Sequence, residues 1–220
     1  MIRAVFMDYT GTIVQEGGKE IQEIVRKICH NSSLRDSNAL IKEWWGIIKK
    51  FEEESYGDSY QTEDEIADRA LKYFLENFQL KADLDELHKM IQGFWVNAPL
   101  FPDVKYFFEK CSVPIFIISN NGVQYVEKAM EQNNLHPAGI VCADMVRAYK
   151  PHRELFEKAL EISGCTFEEA IHVGDSYQSD VLGAMAVGIK PILLDRKAGR
   201  EHLEITSVQN LSEVLGYARY

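Results

Sequence analysis

Basic residues are scarce in this chain: 24 Lys and Arg stand against 34 Asp and Glu, for a formal net charge of −10. Nucleic acids and anionic membrane surfaces are held by clustered Lys and Arg, so neither is expected as a partner. A small anionic substrate stays open, because one local cation can override the global field. Cysteine is equally sparse. Cys29, Cys111, Cys142 and Cys165 form no CxxC pair and have no histidine at metal-finger spacing, so they are read as reduced, small residues. No apolar run approaches the ~20 residues needed to cross a bilayer. The first residues lack the basic, apolar, small-residue order of a secretory leader, which makes the cytoplasm the default location. Internal repeats and low-complexity tracts are missing too.

What is present is an ordinary globular composition, 46% hydrophobic and 26% charged over 220 residues. That length suits one large domain, or a domain carrying an insertion. Five short apolar runs rich in β-branched residues recur: IRAVFMD at 2–8, VPIFIISN at 113–120, AGIVCAD at 138–144, AIHVGD at 170–175 and IKPILLD at 189–195. Each is bounded by turn residues or charges, as a strand buried on both faces should be. Helical patterns separate the later runs, at 123–134, 153–163 and 179–188. Strands alternating with such helices predict right-handed crossovers and a Rossmann-like parallel α/β sheet with helices on both faces. The stretch from about 15 to 98 has no strand-like run. It reads as four amphipathic helices near 19–30, 36–55, 62–78 and 83–95. The expected organisation is an α/β core of 1–14 and 99–220, discontinuous in sequence, with an all-helical cap of 15–98 inserted after the first strand.

Ligands of open parallel sheets bind beyond the carboxyl ends of the strands. The residues expected there are Asp8, then Ser119 and Asn120, then Asp175 and Asp180, with Lys150 joining from the loop before a helix. A carboxylate, a hydroxyl, an ammonium and an acidic pair can together hold a phosphoryl group and a divalent cation. Asp8 is ionised at neutral pH, with a reference pKa of about 3.9, so it needs no base to act as a nucleophile. Ser119 and the N–H groups around Asn120 can hold phosphoryl oxygens. Lys150 supplies positive charge where carboxylate and phosphate would otherwise repel. Asp8 and Asp175 offer the hard oxygens that Mg²⁺ takes.

The segments DYTGT, IISNNG, YKPHRELF and HVGDSYQSDVLGAMAVG resemble, in order, the four signature motifs of the haloacid dehalogenase superfamily. The resemblance covers 1–14 and about 99–195, and the helical stretch falls where that superfamily carries its four-helix cap. It implies an aspartyl-phosphate mechanism. Mg²⁺ would be held by the Asp8 carboxylate, the Thr10 backbone carbonyl and Asp175, with Asp180 behind them, and Thr12 would join the substrate-binding set. The implied substrate is a small phosphorylated metabolite, handled by a monomer or homodimer.

One position departs from most phosphatases of that family. They carry a second aspartate two residues after the nucleophile, and Thr10 stands there instead. General acid–base catalysis is worth about 10²–10⁴-fold, and its loss weighs most on poor leaving groups. DYTGT resembles the DKTGT of P-type ATPases, which have Thr at the same offset, but a membrane pump is excluded by the missing spans. The dehalogenase branch also lacks the second aspartate, needs no metal and does not carry the Gly-Asp of HVGD. A phosphonatase would need a cap lysine, for which Lys42, Lys49 and Lys50 are candidates. A binding or regulatory protein with little turnover is the reading from a different class. His172 is read as a core histidine. His30, His88, His136, His152 and His202 show no mutual spacing, and EWWGIIKKF is read as a packing seam of the insert.

Overall fold

The structure, a computed structural model, describes residues 1–199 and 205–218. His202 lies outside the described residues. The chain divides into two compact units, one of Met1–Gln15 with Leu100–Tyr220, the other of Glu16–Pro99.

The first unit is built on a six-stranded sheet. Its elements in chain order are β1 (Ala4–Met7), β2 (Ile115–Ser119), β3 (Gly139–Cys142), β4 (Ala170–Gly174), β5 (Lys190–Leu194) and β6 (Ser207–Val208), in the spatial order β3-β2-β1-β4-β5-β6. Every neighbouring pair is parallel. The five expected runs are all strands, and β6 is an addition only two residues long. Because side chains alternate across a strand, β1 sends Ala4 and Phe6 to one face. There they join Phe116, Ile118 and Val141 in a core closed by Leu155, Phe156 and Ala184. Phe6 meets Phe116 edge-on at 5.9 Å. Val5, Met7, Ile117 and Val173 face the other way and are equally shut from water, so both faces are covered. Each such fully buried side chain contributes about 1.5–3 kcal/mol. β1 lies between β2 and β4, and this juxtaposition sets the site described below.

The second unit is helical: α1 (Lys19–Asn31), α2 (Ser37–Glu54), α3 (Glu63–Phe78) and α4 (Leu84–Asn97). Three starts are fixed by side-chain caps. Asp36 accepts from Ala39 N at 2.6 Å, Asp83 accepts from Glu86 N at 3.1 Å, and Thr62 and Glu65 form a reciprocal capping box, each satisfying N–H groups that a helix start leaves open. Apolar residues at helical spacing fill the interior: Ile24 and Ile28, Ile47 and Phe51, Leu71 and Phe74, Leu87 and Ile91. Trp44, from the aromatic stretch of α2, packs on Phe74 at 5.8 Å, while Trp45 stays partly exposed. His88 is held between Asp64 at 2.9 Å and Asp68 at 2.5 Å, all within this unit.

The remaining helices belong to the sheet unit: α5 (Val104–Lys110), α6 (Val123–Gln132), the single turn α7 (Ala143–Val146), α8 (Arg153–Ser163), α9 (Leu182–Ala186) and α10 (Leu211–Val214). The helix expected at 179–188 opens differently. Tyr177–Val181 forms a wide π turn before α9 begins, and π turns recur at functional positions. Among the described residues no helix is long and apolar enough to cross a membrane.

Candidate functional site at the carboxyl edge of the sheet

β1, β2 and β4 end side by side, and their ends carry Asp8, Ser119 and Asp175. Asp8 continues the β1 ladder through its backbone, donating to Val173 O at 2.9 Å, so its side chain starts from a fixed position. Lys150 reaches it from the loop before α8. The Nζ lies 2.5 Å from Asp8 Oδ1 and 2.6 Å from Asp180 Oδ1, with all three side chains buried. Asn120 fixes that loop, since its Oδ1 accepts the Lys150 backbone N–H at 2.7 Å.

Asp180 is fully engaged by protein. Besides Lys150, it accepts from Ser176 N at 3.0 Å, and His172 Nε2 stands 3.0 Å from Oδ1. His172 is buried, as expected of a core histidine, but it also braces Asp180, and its ring packs edge-on against Phe156 at 5.1 Å. The π turn permits this, because it carries Asp180 from the start of the helix back toward β4. Gly174 makes room, since a Cβ there would sit 2.2 Å from the Asp180 carboxyl carbon.

Asp8 is engaged on one oxygen only. Among the described residues its Oδ2 is buried and has no hydrogen-bond partner, and the same holds for Oγ1 of Thr12, a fully buried residue close enough to favour the Asp8 anion. Carboxylate oxygens of Asp8, Asp175 and Asp180 lie within 4.8 Å of one another. Gly11 packs directly on Asp175: a Cβ there would fall 2.7 Å from its carboxylate, and φ of +88° already favours glycine. Three carboxylates thus gather where Lys150 supplies one ammonium. The excess negative charge and the orphaned Asp8 oxygen fit a divalent cation with oxygen ligands.

Burial pushes the Asp8 carboxyl up to about 6, with the Asp180 charge adding and Lys150 opposing. Burial would likewise raise Asp180 and depress Lys150. Their mutual attraction outweighs it in both cases, leaving Asp180 well below the carboxylate range and Lys150 above its ordinary value. Lys150 and Asp180 are therefore a fixed ion pair, and Asp8 carries the charge left short of compensation.

The structure brings together Asp8, Thr12, Ser119, Lys150, Asp175 and Asp180, with Asn120 acting on the backbone of Lys150. Thr10 turns to a residue that the sequence did not single out. Its hydroxyl donates to Asn121 Oδ1 at 2.9 Å. Ser119 Oγ donates to the same oxygen at 3.0 Å, and Asn121 N donates back to Ser119 Oγ at 3.0 Å. The signal for Asn121 was the doubled Asn in IISNNG. His88 has both ring nitrogens committed to aspartates of its own unit.

A parallel sheet with carboxylates and a buried lysine gathered beyond the end of β1 is an α/β fold with its polar cluster where such sheets bind ligands. The family is shown directly: a family model described as haloacid dehalogenase-like hydrolase matches residues 2–188, and the chain belongs to that family. Haloacid dehalogenase-like hydrolase domain-containing protein 3 of Danio rerio is 37% identical over 83 residues, 36% of this chain and 34% of that protein. Glyceraldehyde 3-phosphate phosphatase of Methanothermobacter thermautotrophicus is 32% identical over 83 residues, 34% of this chain and 37% of the relative. The match thus spans about a third of the length of these curated relatives. The solved L-2-haloacid dehalogenase of Xanthobacter autotrophicus superposes with a TM-score of 0.82 at 19% identity, over 100% of this chain and 99% of that one, a likeness of fold.

Proposed function

We propose that this hydrolase is a Mg²⁺-dependent phosphohydrolase that acts on a small phosphorylated substrate through an aspartyl phosphate formed on Asp8. The observation that carries the reading is the Asp8 carboxylate itself, clamped by Lys150 on one oxygen and orphaned on the other beside Asp175. The dehalogenase branch needs no metal, so a carboxylate cluster able to hold one favours phosphate chemistry over halide release. The phosphatase name of one relative agrees with this reading.

In this mechanism a carboxylate oxygen of Asp8 attacks phosphorus, and the bond to the leaving oxygen breaks with its electron pair going to that oxygen. Lys150 offsets the charge of Asp8 and of the approaching phosphoryl group, and Asp180 with His172 holds Lys150 in place. Ser119, Thr12 and the N–H groups after β2 receive the phosphoryl oxygens. Asp8 and Asp175 are the side chains that would hold Mg²⁺, with the Thr10 carbonyl completing the set and Asp180 behind it. The ion would supply charge neutralisation at the phosphoryl oxygens. Since Thr10 offers no proton transfer near neutral pH, the favoured substrates carry leaving groups that depart without one, such as acyl or aryl phosphates.

The test is phosphate release from acetyl phosphate, an aryl phosphate and a sugar phosphate, with Mg²⁺ and with EDTA. The expected order is acyl and aryl well above sugar, with all three silenced by EDTA. Halide release from a 2-haloacid that persists in EDTA, without phosphate release, would overturn the reading in favour of a carbon-centred hydrolase.

A further inference from the structure

A hydroxyl has one proton and two lone pairs, and an amide carbonyl accepts two hydrogen bonds. Asn121 Oδ1 takes one proton from Thr10 at 2.9 Å and one from Ser119 at 3.0 Å, which fills it. Asn121 is itself buried at 8% exposure, so water does not compete freely for these bonds. Two consequences follow from proton counting. Thr10 has spent its only proton and shows nothing but lone pairs to anything else in the site. Ser119 can donate to a phosphoryl oxygen only by releasing Asn121, an exchange of one hydrogen bond for another, while its oxygen stays fixed by Asn121 N at 3.0 Å.

We infer that Asn121 is a positioning residue that fixes Thr10 as a hydrogen-bond acceptor for the water that hydrolyses the phosphoenzyme. The inference rests on the phosphohydrolase reading of Asp8. In the step concerned, water oxygen bonds to phosphorus, and the bond from phosphorus to the Asp8 oxygen breaks with its electrons returning to the carboxylate. Both water protons leave on the product as dihydrogen phosphate, so no base is required. Thr10 accepts one of those protons in a hydrogen bond and thereby aims a lone pair of the water at phosphorus. Asn121 keeps the Thr10 proton out of the way. This gives the DYTGT loop a role in the second half of the reaction that does not depend on acid–base chemistry.

The experiment is pre-steady-state turnover of an aryl phosphate with Mg²⁺, following aryl oxide (phosphorylation) and phosphate (hydrolysis) separately. Asn121→Ala should slow the hydrolysis step by about tenfold, the worth of one aimed hydrogen bond, leave the aryl oxide burst within about threefold, and lengthen phosphoenzyme lifetime. Thr10→Val should do the same, and Thr10→Ser should restore the rate. The double variant should be no slower than the slower single, because both act through one contact. Should Asn121→Ala not fold, the Thr10→Val and Thr10→Ser pair decides. Additive losses, or hydrolysis unchanged in Thr10→Val, overturn the inference while leaving the phosphohydrolase reading intact. A wild type that shows neither burst nor phosphate overturns both.

Discussion

Lys150 places its ammonium 2.5 Å from Oδ1 of Asp8, with both side chains buried. The same nitrogen lies 2.6 Å from Asp180, so one cation serves two carboxylates that would otherwise face each other in a medium of low dielectric. Lys150→Met removes that cation and leaves two unpaired buried charges. Breaking a buried pair by deleting one partner costs about 3–5 kcal/mol, and a loss of that size is expected in chemical denaturation near neutral pH. Lys150→Met combined with Asp180→Asn should recover part of the stability without recovering turnover. A Lys150→Met protein as stable as wild type would contradict the geometry.

On the proposed reading, protons and Mg²⁺ would compete for Asp8. Its carboxyl is pushed up to about 6 by burial, with Asp180 adding and Lys150 opposing, above the 3.8 of an unfolded aspartate. The sign is that of a raised acid: the stability gained from protonating Asp8 is fully present below 3.8 and is lost as pH rises through about 6. A metal needs the anion, so apparent Mg²⁺ affinity should fall about tenfold per pH unit below about pH 6 and level off above it. Calorimetric titration of the protein with Mg²⁺ across that range checks the break point.

Arg196 links the nucleophile loop to a second anchor. It donates to the Thr12 carbonyl at 2.9 Å and to Asp103 Oδ2 at 2.8 Å, while its guanidinium lies 3.8 Å from the centre of the Phe101 ring. Leu211 N donates to the same Asp103 oxygen at 2.8 Å. Burial would raise the Asp103 carboxyl, but Arg196 and the Leu211 N–H outweigh it and hold it below its ordinary value. A lowered acid stabilises above 3.8, and the contribution disappears as pH falls through its folded pKa. Asp103→Asn should therefore cost about 1–3 kcal/mol at neutral pH, with the gap to wild type closing in acid. Urea melts at a series of pH values from neutral into acid follow the closing of the gap.

Thr10→Asp supplies the carboxylate that most phosphatases of the family carry at that offset. The gain, up to about 10²–10⁴-fold on a sugar phosphate, should exceed any gain on acetyl phosphate, whose leaving group needs no proton. Its realisation depends on Asn121. The amide oxygen that now faces Thr10 would repel a carboxylate, so the amide must turn its NH₂ toward the substituted side chain and give up the Ser119 proton. The expected signature is a higher kcat on the sugar phosphate together with a higher KM, measured by phosphate release. Equal gains on both substrates would contradict the leaving-group argument.

Much of this architecture was legible in the sequence where local chemistry decides structure. Five strands announce themselves as short β-branched runs, and the four amphipathic patterns near 19–30, 36–55, 62–78 and 83–95 coincide with α1 to α4. What escaped depends on distant contacts. α5 follows Asp103, yet that carboxylate serves Arg196 and Leu211 and does not cap the helix. β6 is two residues long and exists only as a neighbour of β5. The strand ends brought Asp8, Ser119 and Asp175 to one edge, since parallel order alone dictates it. The bond from Thr10 to Asn121 could not be foreseen, because it requires the loops after β1 and β2 to meet at one amide.

The central claim is that Asp8 attacks phosphorus. Acid-quenching the protein during turnover of acetyl phosphate with Mg²⁺, followed by mass spectrometry of its peptides, tests it most directly. The account predicts one phosphoryl group on the peptide containing Asp8, absent in Asp8→Asn, whose phosphate release is also lost. Phosphate release that survives Asp8→Asn, or a turning-over wild type with no phosphoryl group on that peptide, would contradict it.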